Sequence, residues 1–180
     1  MRQPTGKDEW ADDVAATLRR RAESLAHEGI DEATGVLVGL LLFRLGDEWY
    51  SVKVEDVREI YREYEVTAIP CTPASILGVV NIRGEMVSVT DIAKLMGLGQ
   101  FVPGAVTAPA VVIQNEEVVT AIVVDEIGDI IEVAEENIEP PLSIIDRVNA
   151  QFIIGSVYHQ ERLIGVVNAN SVLVPIGSAK

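Results

Sequence analysis

The first apolar pattern along the chain has helical spacing. Between Trp10 and Glu28 there is no glycine or proline, and the apolar residues recur every three or four positions, which places them on one helical face. These apolar residues are Trp10, Val14, Leu18, Ala22 and Leu25. The sequence predicts an N-terminal amphipathic helix within an extension of residues 1–35. Its apolar face would pack on its own domain, on a second copy or on another protein, or would order only on binding.

Beyond Gly35 the pattern changes to short apolar or alternating runs separated by turn residues, which is typical of β-hairpins. The predicted strand pairs are 36–45 with 49–54, 76–82 with 86–89, 110–113 with 118–124, and 152–158 with 163–167. Residues 99–109 contain two prolines and two glycines and predict a loop between two halves. The sequence therefore predicts a second region, residues 36–180, that is built from hairpins.

The hairpins form an internal repeat. When the chain is slid by 70 residues, residues 43–60 lie on residues 113–130 without a gap. A slide of 77 residues aligns the later part and places Asp91 on Asn168, each suited to cap a short helix. Because each set of strands is too short to bury both faces of a sheet alone, we predict two small barrels that share one core.

Composition and charge exclude several classes of function. The 180 residues include 14 Lys and Arg against 28 Asp and Glu, a net charge of −14, which argues against nucleic acid and anionic membrane as partners. No apolar run approaches the ~20 residues that cross a bilayer, and the first residues lack an apolar signal core. The single cysteine, Cys71, permits no internal disulfide and fits a reducing cytoplasm. We expect a cytoplasmic protein without membrane insertion.

Catalytic motifs are absent from the sequence. It contains no nucleophile elbow and no phosphate-binding loop, and one cysteine with two histidines cannot supply four zinc ligands. A thiol enzyme that uses Cys71 with His159 as base is the one enzymatic alternative, and an unreactive thiol beside a turn is the simpler interpretation. The sequence therefore predicts a protein that is not an enzyme and binds neither a cofactor nor a metal.

Two charge features remain to be interpreted. From Asn115 to Asp146 there are ten acidic residues and no Lys or Arg. This stretch fits a solvated face or a docking face for a basic partner, and it lacks the regular oxygen spacing of a calcium loop.

The second charge feature is a possible ion pair. Arg83 lies in a tight turn and Glu59 follows the first hairpin. If the ends of the first barrel meet, these two form an exposed ion pair worth about 0–1 kcal/mol, suited to orient a contact surface. Otherwise they are two ordinary surface charges.

The stretch from Phe43 to Leu98 resembles the CheW family, the adaptors of bacterial and archaeal chemotaxis arrays. The most specific segment is Pro73–Gly84, which fits the pattern Pro-x-x-[Ile/Leu]-x-Gly-Val-x-Asn-[Leu/Ile]-Arg-Gly. The second half agrees through Ala121–Ile127 and Phe152–Gly155. The resemblance covers roughly residues 37–175. It implies an all-β fold of two intertwined five-stranded SH3-like barrels with short helices.

The resemblance also implies a function without catalysis. Proteins of this family join the cytoplasmic tips of methyl-accepting chemoreceptors to the regulatory domain of the histidine kinase CheA, in arrays at the inner face of the membrane. Carried over by position, the receptor-binding residues are Val57, Glu59, Gly78 and Arg83. Apolar residues of the first barrel would supply the kinase contact. The alternative is a specialised CheW-like protein, in a non-chemotactic chemosensory pathway, that self-associates or recruits another partner through its N-terminal helix.

Overall fold

The computed structural model describes residues 35–99, 108–141 and 150–173, and these ranges are mostly β-strand. The predicted N-terminal helix and most of the predicted 99–109 loop lie outside the described residues, so the division of the chain near residue 35 stays a prediction. The strands are β1 (Leu37–Leu45), β2 (Glu48–Lys53), β3 (Val57–Tyr61), β4 (Ile76–Ile82), β5 (Glu85–Asp91), β6 (Ala110–Gln114), β7 (Val119–Val123), β8 (Glu126–Ala134), β9 (Ile153–His159) and β10 (Arg162–Val167). The helical elements are α1 (Ile92–Leu95), α2 (Ala169–Val172) and the 3-10 turns Val54–Asp56 and Glu135–Asn137.

The strands form two five-stranded sheets. The central sheet has the order β3-β6-β7-β5-β4, and the terminal sheet has the order β8-β1-β2-β10-β9. The prediction of an all-β fold with short helices is confirmed, and each of the four predicted hairpins is present. Strands β3 and β8 were not among the predicted pairs. No helix of the described ranges is long and apolar enough to cross a membrane.

The internal repeat is visible in the order of the strands. Replacing β1–β5 by β6–β10, and the reverse, converts the order of one sheet into that of the other. The pair Phe43–Tyr50 in β1–β2 becomes Ile113–Thr120 in β6–β7, as the slide of 70 residues requires. The irregularity in the β3–β6 pairing, after Val57, recurs at the matching place in the β8–β1 pairing. The two halves are therefore structural copies.

The copies are intertwined because each half gives its first two strands to the other half's sheet. Strands β1 and β2 join β8–β10, whereas β6 and β7 join β3–β5. In each sheet the halves meet in one antiparallel and one parallel pairing: β1 with β8 and β2 with β10 in the terminal sheet, and β3 with β6 and β5 with β7 in the central sheet. Neither sheet is complete without strands from both halves.

The side chains of β1 and β6 alternate between two kinds of core. The shared core lies between the sheets and includes Leu41 and Phe43 from β1 with Val111 and Ile113 from β6. The intervening residues face a smaller core within each sheet: Leu40 and Leu42 in the terminal sheet, and Ala110 and Val112 in the central sheet. This period-2 alternation is that of a strand buried on both faces. The sheets are therefore joined through their most buried residues.

Helices α1 and α2 close the shared core. The Asp91 carboxylate accepts a hydrogen bond from the Lys94 amide at 3.0 Å, and the Asn168 side chain accepts one from the Asn170 amide at 3.1 Å. Both are N-caps, which satisfy an amide that has no partner inside the helix. The predicted caps are confirmed, and the helices follow their strands without a connecting loop.

The segment after β3 joins the two edges of the central sheet. Thr67 and Val79 exchange backbone hydrogen bonds of 2.8 and 2.9 Å, which ties this segment to edge strand β4. The approach is so close that a Cβ on the buried Gly78 would lie 2.2 Å from the Thr67 carbonyl oxygen. Gly78 also has φ +151°, in the region that favours glycine. The closed edge places β3 beside the β4–β5 turn, where the candidate site lies.

Candidate functional site

Arg83 occupies the tip of the β4–β5 hairpin in a left-handed conformation. Arg83 has φ +52° and Gly84 has φ +89°, so both residues of the two-residue turn have the positive φ of a type I′ hairpin. The Asn81 side chain accepts a hydrogen bond from the Gly84 amide at 2.8 Å and fixes the turn. A non-glycine residue in this conformation costs about 1 kcal/mol. The strained turn presents the Arg83 side chain to solvent, where 78% of it is exposed.

Glu59 on β3 meets Arg83 across the closed edge of the sheet. Arg83 Nη2 lies 3.1 Å from Glu59 Oε2, and the Tyr61 hydroxyl donates to the same oxygen at 2.8 Å. This hydrogen bond raises the pKa of Tyr61, because an ionised tyrosine could no longer donate to the carboxylate. The Glu59 side chain is only 15% exposed. The expectation of an exposed pair therefore holds for Arg83 and is wrong for Glu59, which is covered from its own strand and from the turn.

Two further charged residues complete a network that the sequence did not indicate. Arg58 Nη1 donates to Glu85 Oε2 at 2.7 Å, and this hydrogen bond raises the pKa of Arg58. Arg58 Nε also lies 3.5 Å from Glu59 Oε1, an oxygen that is buried and accepts no hydrogen bond. We call Arg58, Glu59, Arg83 and Glu85 the charge network. Its two cations and two carboxylates link β3 to the β4–β5 hairpin.

The other two predicted contact residues lie inside the domain. Val57 is half-buried, pairs with Ile113 and packs against the shared core. Gly78 is buried and closes the edge against Thr67. The structure thus brings Glu59 and Arg83 together, whereas Val57 and Gly78 take part in packing within the domain. Their assignment to a partner contact stays a prediction.

An open groove lies beside the charge network. Its residues come from the end of β3, the β3–β4 connection and the β4–β5 hairpin: Tyr61, Glu63, Tyr64, Glu65, Thr67, Val80, Asn81, Ile82 and Met86. The Tyr64 hydroxyl donates to the Ala108 carbonyl oxygen at 2.8 Å, and burial raises its pKa. Met86 is 61% exposed. The groove combines an apolar wall with carboxylates and the nearby Arg83 cation.

The matching position in the other half carries different chemistry. The slides place Asp129 where Glu59 lies and Gln160 where Arg83 lies, and no ion pair joins them in the described part of the chain. Gln160 and Glu161 repeat the left-handed turn with φ +46° and +61°. Near them Arg162 stacks over the Trp49 ring, 5.7 Å from its centroid. The backbone was duplicated, and the charge network belongs to one copy.

The structure does not support the alternative interpretations of the sequence as a thiol enzyme or a metal site. Cys71 is exposed in the loop before β4, whereas His159 ends β9 in the other sheet. Within the described ranges, no group of three or more His, Cys, Asp and Glu side chains is arranged to hold a metal. Part of the acidic stretch is engaged locally: Asp125 accepts from the Gly46 amide, and Glu126 pairs with Arg44 at 3.0 Å.

The turn allows the strain of Arg83 to be separated from its charge. Replacing Arg83 with asparagine, which tolerates the left-handed conformation, should relieve about 0.5–1 kcal/mol of strain and remove an ion pair of similar worth. We expect Arg83→Asn to change the free energy of unfolding by less than about 1 kcal/mol in urea denaturation. The matched variant Gln160→Asn, where no ion pair is lost, should be the more stable of the two. Equal changes in the two variants, or the reverse order, would show that the ion pair contributes little to stability.

Comparison with known proteins identifies the family of this chain. The family described as CheW-like domain matches residues 39–175. The probable chemotaxis protein CheW of Rhizobium etli is 35% identical over 130 residues, which cover 71% of this chain and 82% of that protein. The chemotaxis protein CheW of Rhizobium meliloti is 32% identical over 133 residues, covering 74% of this chain and 85% of that protein.

A solved structure gives the same fold. The scaffolding protein TtCheW from Thermoanaerobacter tengcongensis superimposes with a TM-score of 0.69 at 23% identity, covering 79% of this chain and 100% of that chain. This chain therefore has the fold of that solved structure. Since the family match spans most of the sequence, the chain belongs to the CheW-like family.

Proposed function

We propose that this chain is a non-catalytic adaptor that couples the cytoplasmic tips of chemoreceptors to the regulatory domain of the histidine kinase CheA. Membership of the CheW-like family supports this, as do relatives named chemotaxis proteins and a solved structure named a scaffolding protein. The observation that carries the proposal is the pairing of Glu59 with Arg83 at 3.1 Å, at an exposed hairpin tip.

The receptor contact in this proposal is made by the Arg83 guanidinium. It is exposed, carries five N–H donors and is held by a carboxylate that lies beneath it. An acidic side chain on a receptor helix can accept from the donors that Glu59 leaves free. Because the edges of the central sheet are joined at Thr67 and Val79, the hairpin tip is fixed to the rest of the domain.

The kinase contact draws on exposed apolar residues of the central sheet. Met86 is 61% exposed and Ile60 is 41% exposed, and both lie on strands that flank the charge network. Burial of apolar surface is the dominant favourable term in most protein–protein association. Receptor and kinase then contact neighbouring parts of one sheet, and a change in receptor state shifts the populations of kinase conformations.

The first test is a calorimetric titration of the full chain with the regulatory domain of its cognate CheA. We expect one-to-one binding in the micromolar range, about −8 kcal/mol. Adding a soluble fragment of the receptor tip should then give a ternary complex. Absence of binding, with both proteins shown to be folded, would reject the kinase as the partner.

Arg83→His is expected to weaken receptor-dependent activation of CheA while the domain stays folded. Histidine tolerates the left-handed turn, but it lacks the fixed charge and the fork of donors. Loss of a charge-assisted hydrogen bond corresponds to roughly 10- to 100-fold weaker receptor binding. Gln160→His, in the equivalent turn of the terminal sheet, is the matched control and should leave activation unchanged. A wild-type response from Arg83→His would refute the site assignment.

A further inference from the structure

Arg58 lies between two carboxylates and forms a hydrogen bond with only one of them. Its Nη1 donates to Glu85 Oε2 at 2.7 Å, the length of a strong charge-assisted bond. Its Nε faces Glu59 Oε1 at 3.5 Å, too long for such a bond. Arg58 is therefore hydrogen-bonded to Glu85, and it interacts with Glu59 only through a longer electrostatic contact.

Glu59, in turn, has one carboxylate oxygen that accepts no hydrogen bond. Its Oε2 is bonded by Tyr61 and faced by Arg83, whereas its Oε1 is buried and accepts no hydrogen bond. If a partner draws Arg83 outward, Glu59 loses its closest cation. A partly buried carboxylate is less stable without a countercharge, so the departure of Arg83 is opposed unless another cation takes its place.

We propose that Arg58 and Glu85 are positioning residues that set how readily Arg83 leaves Glu59 to bind an acidic side chain of a partner. This inference rests on the proposed function and concerns its receptor site. When Arg83 turns to the partner, Arg58 shifts its hydrogen bonding from Glu85 to Glu59 and neutralises the buried carboxylate. Glu85 competes for Arg58 and opposes the shift.

The two residues therefore act in opposite directions. Arg58→Gln removes the replacement cation and should weaken binding of a receptor-tip fragment about three- to tenfold. Glu85→Gln releases Arg58 toward Glu59 and should strengthen binding by a similar factor. Simple electrostatic attraction between an acidic partner and the surface of this chain predicts the same two changes in affinity. The single variants therefore do not distinguish this attraction from the exchange that we propose.

The double variant separates the two explanations. In the exchange that we propose, Glu85 acts only through Arg58, so Glu85→Gln should have no effect on affinity in an Arg58→Gln background. If the effect is simple attraction, Glu85→Gln strengthens binding by the same factor in both backgrounds. The experiment measures the dissociation constant of the four proteins for the receptor-tip fragment, at one ionic strength, with the full chain.

Controls keep the result interpretable. Glu126→Gln breaks a comparable ion pair with Arg44 in the terminal sheet and should leave affinity unchanged. Failure of the unsubstituted chain to bind any receptor-tip fragment would refute the proposed function. Binding that is lost on Arg83→His, but with additive effects of Arg58→Gln and Glu85→Gln, would keep the proposed function and overturn this inference.

Discussion

Gly78→Ala is expected to lower the free energy of unfolding by about 3 kcal/mol or more, a large fraction of the roughly 5–15 kcal/mol that is typical of a domain. The added methyl would lie 2.2 Å from the Thr67 carbonyl oxygen, and that backbone cannot retreat without breaking its two hydrogen bonds to Val79. The positive φ of Gly78 adds strain for any residue with a Cβ. Urea denaturation followed by circular dichroism measures the loss.

Gly46→Ala is the matched control for Gly78→Ala. Gly46 also has positive φ, +61°, but a Cβ there would meet nothing within 4 Å. This variant should lose only the conformational cost of about 1 kcal/mol. Equal losses in the two variants would show that the Thr67 segment moves aside freely. A large loss at Gly78 would mean that any effect of its variants on a partner must first be corrected for the loss of folded protein.

Phe43→Ala should cost about 3–5 kcal/mol and should destabilise both sheets at once. Phe43 is fully buried, stacks on Tyr50 with ring centroids 6.3 Å apart, and belongs to the core that both sheets share. A cavity there removes contacts from strands of each sheet. We expect a single unfolding transition at lower denaturant, with amide protons of β1 and β6 losing protection together in hydrogen exchange.

The control for Phe43→Ala is an apolar residue outside the shared core. Leu163 is 50% exposed, so Leu163→Ala should cost less than about 1 kcal/mol. Two separate transitions in Phe43→Ala, with β6 still protected after β1 exchanges, would contradict the shared core as the unit of stability.

The sequence predicted most of the fold because its signals are local or periodic. Hairpin turns, the caps at Asp91 and Asn168, and the slides of 70 and 77 residues all depend on neighbours in the chain or on comparison of the chain with itself. Strands β3 and β8 were missed because each pairs only with a distant strand and has no adjacent hairpin partner. The acidic residues of β8 made it resemble a solvated segment.

The candidate site was predicted only in part. Glu59 and Arg83 were singled out by their unusual surroundings and by the family resemblance, and the structure places them together. Arg58 and Glu85 gave no signal, because two charges 27 residues apart carry no local pattern that pairs them. The burial of Glu59 depends on Tyr61 and on the β4–β5 hairpin reaching the same carboxylate, which requires the closed edge of the sheet.

The exchange of strands between the halves also determines the order in which the domain is completed during synthesis. The central sheet is contiguous from β3 to β7, so all of its strands have been translated once residue 123 has been added. Strand β1 must wait for β8, since Leu40 pairs with Ile131. The apolar residues of β1 therefore lack their contacts with β8 while the ribosome synthesises the residues between these two strands. Such delayed pairing favours aggregation, so a nascent chain stalled before β8 should be a better substrate for chaperones than one stalled after β10.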